Sequence, residues 1–150
     1  MQTIDTLIHA EWVVPIEPVN TTLHSHSLCI DNGKIVAILP TPDAKQQFQA
    51  DNQFDLSGHA VMPGLVNAHT HAAMSLMRGL ADDLPLMTWL QEHIWPTEQR
   101  WVNERFIEDG TELAIAEMVR GGTTCFNDMY FFPEVTAHSA EIGRASCRER

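Results

Sequence analysis

The sequence predicts an α/β fold, and two observations lead to this prediction. Residues 3–58 alternate short apolar runs with turn residues, which is typical of β-strands. From residue 59 on, the order strand, long excursion, helix, strand, helix is typical of parallel strands joined by right-handed crossovers. We therefore predict two domains, residues 1–58 and residues 59–140, in a chain whose 44% hydrophobic content is that of a globular protein.

The first domain contains a predicted hairpin and one short helix. Apolar runs at residues 27–30 and 35–39 flank Asn32-Gly33, the dipeptide that most favours a two-residue hairpin turn. Residues 43–48 are predicted to form a short helix, capped by Thr41 or Asp43.

The second domain begins with a short apolar strand, interrupted by Pro63-Gly64, that leads to His69-Thr70-His71. A helix is predicted around residues 86–94 and should end before Pro96, because proline disrupts helix interiors. The intervening length predicts an elaborated loop over a functional site.

The clearest predicted helix covers residues 103–120. Ile107, Ala114 and Met118 lie on one face at helical spacing, and Gly121-Gly122 ends the helix. Residues 123–126 are predicted as a second strand, and Pro133 as the first residue of a final helix.

Charge and composition exclude two classes of partner. The chain has 9 basic and 20 acidic residues, a net charge of −11, so phosphate backbones would repel it and no nucleic acid is expected. No apolar stretch approaches the ~20 residues that cross a bilayer, so no membrane partner is expected. The N-terminus lacks a basic signal region, and Cys29, Cys125 and Cys147 are odd in number, which favours a cytoplasmic protein.

The last ten residues, 141–150, differ from the rest of the chain. They contain Arg144, Arg148 and Arg150, three of the nine basic residues. The segment EIGRASCRER resembles the in-frame translation of a sequencing adapter, whereas the alternative is a basic helix end. We predict that this tail is not native and that the chain is part of a longer protein.

His69 and His71 are candidate metal ligands. Alternate residues of a strand point to the same side, so both imidazoles can reach one ion at ~2.0–2.1 Å. They also follow an apolar strand, where parallel α/β folds carry their sites. A second pair, His24 and His26, lies in a polar run and is interpreted as a solvated strand face.

Residues 61–83 resemble the amidohydrolase superfamily, and within it the methylthioadenosine/S-adenosylhomocysteine deaminases and their triazine-hydrolase relatives. Three further motifs occur in the order of that branch: LMTWL at residues 86–90, WPTE at 95–98 and GGTTCFNDMY at 121–130. The similarity covers essentially all of residues 3–140, which makes it far more specific than a single H-x-H motif.

The resemblance implies that residues 59–140 begin a (β/α)8 TIM-type barrel and that residues 1–58 form part of a small β-sandwich. It implies one divalent metal ion, with zinc expected, bound by His69 and His71, and it places Glu98 on the ribose hydroxyls of a nucleoside. The family's other metal ligands and its proton-transfer groups lie beyond residue 140, so no catalytic residue is assigned here.

The implied reaction of the full-length protein is hydrolysis of a C–N bond. Methylthioadenosine or S-adenosylhomocysteine would be deaminated to the inosine-type product and ammonia. Two alternatives stay open: a relative acting on a triazine, guanine or cytosine ring, and a truncated, non-catalytic product. We expect the 150-residue chain itself to be inactive, since two strands cannot close a barrel and two histidines bind metal weakly. The resemblance leaves the oligomeric state open, with a homo-oligomer as one alternative for the full-length protein.

The remaining candidates have competing interpretations. Taken alone, Glu98 is a first-turn acid of a helix, and Asp128 either faces the site or caps a turn into Met129. Cys125 is expected to be an inert, buried thiol. Three tryptophans either line an adenine pocket or simply pack: Trp89, Trp95 and Trp101. Four more residues are interpreted as solvated or structural: Asp82, Asp83, His93 and His138.

Overall fold

The computed structural model describes residues 1–143 and confirms the mixed α/β fold. The chain forms two compact units, one from Met1 to Pro63 and a second that begins at Gly64. No described helix has the length and apolar character that crossing a bilayer requires.

The first unit is a four-stranded sheet with one short helix. Its elements are β1 (Gln2–Val13), β2 (Leu23–Asp31), β3 (Lys34–Pro40), α1 (Thr41–Gln47) and β4 (Phe48–Val61). The strand order is β3-β2-β1-β4, with antiparallel pairing of β2 to both neighbours and parallel pairing of β1 with β4. The predicted hairpin is confirmed, and its turn residues Asn32 and Gly33 have φ of 50° and 71°, as a tight β-hairpin turn requires.

The core of the first unit lies along β1. Ile4 and Leu7 are almost fully buried and pack with Cys29 of β2 and Ala44 of α1. Further along β1, Val13 belongs to a second buried cluster. Burial of such side chains is the main favourable contribution to folding.

The predicted cap of α1 is wrong. The helix begins at Thr41 after the N-cap residue Pro40, and no side chain caps it. The Thr41 hydroxyl is used elsewhere: it donates to the carbonyl of Ser25 and accepts from the hydroxyl of Ser27. Asp43 lies in the first turn of the helix, where it complements the helix dipole.

Strand β4 continues past the predicted domain boundary at residue 58. Its pairing with β1 shifts register between Ala10 and Trp12, and Gly58, with a φ of 77°, lies opposite this irregularity. The Gly58 amide donates to the Glu11 carboxylate at 2.9 Å. The glycine therefore marks a bulge within β4, and the compact unit extends to Pro63.

The second unit contains the predicted parallel strands. β5 (Leu65–Thr70) pairs in parallel with β6 (Thr123–Asp128). A 3₁₀ helix (Ala72–Met77) follows β5, and α4 (Glu104–Arg120) precedes β6. The last described element is α5 (Pro133–Gly143), which begins at Pro133 as predicted. Residues 144–150, most of the predicted non-native tail with Cys147, lie outside the described residues.

The prediction that the helix before Pro96 ends there is wrong. Helical backbone runs from α2 (Leu86–Thr88) through a π-helical segment (Trp89–Ile94) into α3 (Trp95–Trp101). In the π-helical segment the Trp95 amide donates to the carbonyl of Leu90, five residues back. This wider turn accommodates a proline that a regular α-helix would exclude.

Helix α4 packs closely on the 3₁₀ helix. Its N-cap Asn103 accepts from the Phe106 amide, and Ile107 is fully buried. A Cβ on Gly110 would lie 2.6 Å from the carbonyl oxygen of Ala73, so only glycine permits this approach. The segment after β5 is therefore held against a long, capped helix.

The expectation of a buried Cys125 thiol is wrong, because Cys125 is exposed. The strand β6 that carries it pairs only with β5 within the described part of the chain. Val66 of β5 is likewise 67% exposed. Both strands thus leave apolar surface in contact with solvent.

Candidate metal and substrate site

The two predicted ligands lie together where β5 ends. The rings of His69 and His71 have centroids 5.2 Å apart in an edge-to-face arrangement of 78°. His69 is exposed, whereas His71 is partly buried. The alternation of side chains along β5 explains why residues two apart project to one side.

The hydrogen bond of His71 fixes which of its nitrogens is free. Its Nδ1 lies 2.5 Å from the carbonyl oxygen of Met129. Since a carbonyl only accepts, Nδ1 carries a proton and donates, so in the neutral ring Nε2 is the nitrogen with the lone pair. A metal-binding imidazole typically has this arrangement.

The carboxyl end of β6 holds the segment that carries His71. The Met129 amide donates to the carbonyl of Thr70 at 3.0 Å. One oxygen of Asp128 accepts from the Ala72 amide at 2.7 Å, and the other lies 3.5 Å from the Thr136 hydroxyl. Asp128 therefore binds the backbone that follows His71 instead of capping its own turn, a role that the sequence did not indicate.

A cleft of about 380 Å³ adjoins His71. Most of its lining is apolar, and its polar side chains are His71, Glu98 and Tyr130. An apolar cleft with a few fixed polar groups is typical of small-molecule sites. The lining residues are His71, Met74, Trp89, Leu90, Ile94, Trp95, Glu98, Met129, Tyr130 and Phe131.

Two of the three tryptophans lie at this cleft and the third does not. Trp89 and Trp95 line it, whereas Trp101 lies at a different depression with Met77 and Phe106. The π-helical segment carries Trp89 and ends just before Trp95. Trp89 and Trp95 are thus the two members of the set that lie at the cleft.

Glu98 is held by a residue that the sequence analysis did not single out. The hydroxyl of Tyr130 donates to Glu98 Oε1 at 2.7 Å. Burial raises the pKa of Tyr130 above its ordinary value, and the hydrogen bond to Glu98 and the negative charges of Glu98 and Asp128 raise it further. The phenol therefore stays protonated and remains a donor. The sequence signal that could have identified Tyr130 is its position directly after β6.

Among the described residues, the candidate metal centre has only the two histidines at the end of β5. They include no cluster of three or more histidine, cysteine, aspartate or glutamate side chains that could hold an ion. The two imidazoles at the end of β5 nonetheless suit a borderline metal such as zinc, which prefers nitrogen and sulfur ligands. The free Nε2 of His71 is the observation that supports this fit.

The other histidine pair does not converge in the same way. His24 is exposed on β2, where its Nε2 lies 3.8 Å from the Glu11 carboxylate and its ring lies against Trp12. His26 points its Nδ1 to the carbonyl of His24. The interpretation as a solvated strand face agrees with this placement. Asp82, Asp83 and His138 are also exposed, and His93 is partly buried.

Comparisons with known proteins agree on one family. Residues 60–146 match the Amidohydrolase family. A 5-methylthioadenosine/S-adenosylhomocysteine deaminase of Saccharophagus degradans is 52% identical over 136 residues, which cover 91% of this chain and 30% of that relative. The chain thus spans about a third of the length of the curated relatives it matches.

Solved structures show the same similarity. A zinc-bound adenosine deaminase from Xanthomonas campestris has a TM-score of 0.92 and 53% identity, over 94% of this chain and 32% of that chain. A zinc-bound atrazine chlorohydrolase from Arthrobacter aurescens TC1 has a TM-score of 0.81 and 21% identity, over 91% and 33% of the two chains. The second likeness establishes the shared fold alone.

Proposed function

Because the chain belongs to the amidohydrolase family, we propose that it is part of a metal-dependent aminohydrolase acting on an adenosine-type nucleoside. The full-length enzyme would deaminate methylthioadenosine or S-adenosylhomocysteine to the inosine-type product and ammonia. The names of relatives about half identical to this chain support this substrate class.

The cleft next to His71 carries the proposal. It joins a histidine with a free Nε2 to the carboxylate of Glu98, with Trp89 and Trp95 also in its lining. A nucleoside has matching parts: an aromatic base that stacks on indole rings, and sugar hydroxyls that donate to a carboxylate. The substrate carries no phosphate, so an acidic protein does not repel it.

His69 and His71 would hold the metal ion, with zinc proposed. When bound, such an ion makes water a nucleophile at neutral pH. The chain's own contribution is to orient His71 through the Met129 carbonyl and to place the base between apolar walls that exclude water. Glu98 would accept hydrogen bonds from the ribose and so select nucleosides over free bases.

We also propose the finer architecture that the family implies. The parallel pair β5 and β6 would be the first two strands of a (β/α)8 barrel, and the first unit would be part of a β-sandwich. The parallel pairing and the TM-score of 0.92 support this assignment. In this proposal the two domains are those predicted as residues 1–58 and 59–140, with the boundary moved to Pro63, where the first compact unit ends, and the tail 141–150 is not native. The protein is proposed to be cytoplasmic, with its oligomeric state open.

The test is a comparison of substrates in the full-length enzyme. We expect ammonia release from methylthioadenosine, and Glu98→Gln should lower kcat/KM for the nucleoside by about tenfold or more, with little effect on a free base. Preferred turnover of a triazine or a free purine, or an equal loss on both substrates, would contradict the proposal. The 150-residue chain alone should release no ammonia.

A further inference from the structure

We propose that Tyr130 is a positioning residue for sugar recognition, because its hydroxyl donates to Glu98 Oε1 at 2.7 Å and so fixes the carboxylate at the cleft. This inference rests on the proposed role of Glu98 in binding ribose hydroxyls. It adds Tyr130 as the residue that holds the Glu98 carboxylate in position to bind those hydroxyls.

Two adjacent residues after β6 make both of the hydrogen bonds that organise the cleft. The carbonyl of Met129 accepts from His71, and the hydroxyl of Tyr130 donates to Glu98. Glu98 lies on α3 and His71 follows β5, so these groups come from different elements. The dipeptide therefore sets the spacing between the proposed metal ligand and the proposed sugar ligand.

Packing keeps the Tyr130 ring in place. Its centroid lies 5.8 Å from that of His71 and 4.9 Å from that of Phe131, the latter edge-to-face. A ring held on two sides loses little further freedom when its hydroxyl binds a partner. The partner is a glutamate, whose side chain otherwise has several rotatable bonds and binds at a larger entropic cost.

The same bond limits what Tyr130 can do. A phenol has one hydrogen to donate, and here Glu98 receives it. Tyr130 therefore does not itself bind the sugar as a donor. Within the described residues, Oε2 of Glu98 accepts no side-chain hydrogen bond, and Oε1 retains a lone pair, so both oxygens can accept from neighbouring hydroxyls.

The first experiment measures kinetics in the full-length enzyme. We expect Tyr130→Phe to raise KM for methylthioadenosine by about tenfold while kcat changes less than twofold. A substrate that lacks the 2′-hydroxyl gains less from a fixed carboxylate, so its KM should rise less. In a Glu98→Gln background, Tyr130→Phe should add little, since the two residues act as a unit.

A matched control separates positioning from a general effect on the helix. The Thr97 hydroxyl donates to the carbonyl of His93 at 2.6 Å and is next to Glu98 in the sequence. Thr97→Val removes one hydroxyl from α3 with little change in shape. It should leave the preference for the 2′-hydroxyl unchanged.

The second readout does not depend on activity. Equilibrium dialysis of the full-length enzyme gives the Kd of the inosine-type product, which is not turned over and keeps the sugar hydroxyls. Tyr130→Phe should raise this Kd by about tenfold, and by less for a product that lacks the 2′-hydroxyl. In a Glu98→Gln background, Tyr130→Phe should change the Kd little.

The outcomes distinguish this inference from the proposed function. An equal rise of KM for the two sugars in Tyr130→Phe, or a loss confined to kcat, would overturn the positioning role. So would a product Kd that Tyr130→Phe raises equally with and without the 2′-hydroxyl. A wild-type enzyme that turns over no nucleoside would instead contradict the proposed function, while product binding would still test the Tyr130–Glu98 pair.

Discussion

The two units use their strands in different ways. In the first unit the faces of the strands supply the core, and Ile4 and Leu7 of β1 are 2% and 1% exposed. In the second unit Leu65 and Val66 of β5 are 50% and 67% exposed, and the buried residues lie instead on helices, most of them on the 3₁₀ helix and α4. The strands of the second unit contribute through their carboxyl ends, where the candidate site lies.

The strand residues that stabilise the chain are therefore different from those that would take part in a reaction. A strand whose side chains are buried on one face is held in place, because detaching it from the core would expose apolar surface to water. The end of β5 is held mainly by directional hydrogen bonds, from Met129 to Thr70 and from Ala72 to Asp128. Such bonds fix orientation, which a metal ligand needs more than it needs burial.

The largest contrast is expected between two truncations, Leu7→Ala and Val66→Ala. Leu7→Ala should lower the free energy of unfolding by about 2–5 kcal/mol, because it leaves a cavity in the core of the first unit. Val66→Ala should change it by less than about 0.5 kcal/mol, since the side chain is exposed in this chain. Urea denaturation of the 150-residue chain followed by circular dichroism measures both. Equal costs would contradict the comparison.

The second prediction concerns the packing of α4 on the 3₁₀ helix. In an ordinary helix interior, Gly→Ala stabilises by up to about 1 kcal/mol. Gly110→Ala should instead destabilise by about 1–3 kcal/mol, because the new Cβ would lie 2.6 Å from a backbone oxygen of Ala73. Thermal denaturation measures the sign.

Gly121→Ala is the matched control at the end of the same helix. Its added Cβ would meet nothing closer than 3.4 Å, and its φ is −83°. It should change the melting temperature far less than Gly110→Ala. If both substitutions stabilise, the close approach at Gly110 does not limit packing.

Local sequence signals predicted the parts of this chain that depend on local chemistry. Asn32-Gly33 identified the hairpin, and Gly121-Gly122 identified the end of α4. The spacing of His69 and His71 predicted that their rings would lie on one side of β5. Each of these features depends on residues adjacent in sequence or nearly so.

The features that the sequence did not predict depend on distant partners. Pro96 lies within helical backbone because a π-helical segment precedes it, and Cys125 is exposed because its strand has one described neighbour. Tyr130 meets Glu98 only after β6 and α3 are placed. The Asp128 carboxylate likewise accepts a hydrogen bond from the amide of Ala72, which follows the neighbouring strand β5. A residue's position after a strand can mark it as a candidate, but no local pattern along the chain indicates which distant partner it meets.

The third prediction tests whether the strand end orients the proposed metal ligand. Asp128→Ala would leave the Ala72 amide without its acceptor, next to His71. In the full-length enzyme this should weaken zinc affinity by about 10–100-fold, the usual effect of losing a residue that supports a ligand. Competition with a chelator measures it. Asp128→Asn keeps one acceptor oxygen and should lose much less, so equal losses would argue for charge rather than orientation.

The smallest expected effect concerns a series of hydrogen bonds in the first unit that links the side chains of His9, Ser27 and Thr41. Ser27 donates its only hydroxyl hydrogen to Thr41, so its oxygen accepts from Nδ1 of His9 at 2.6 Å. Nε2 of His9 is buried with no partner. Burial lowers the pKa of His9 and the charge of Lys45 lowers it further, with Asp55 acting in the opposite direction. The His9 imidazole is therefore neutral in the folded protein.

This gives the first unit a pH dependence of defined sign. Below the ordinary histidine pKa of 6.5 the unfolded chain binds a proton that the folded chain resists, so stability falls as pH falls through that value. His9→Asn keeps a donor for Ser27 and removes the titration. The urea midpoint should therefore drop less between about pH 7.5 and about pH 5.5 in this variant than in the wild type. A wild-type slope retained in His9→Asn would show that the acid sensitivity arises from other groups than His9.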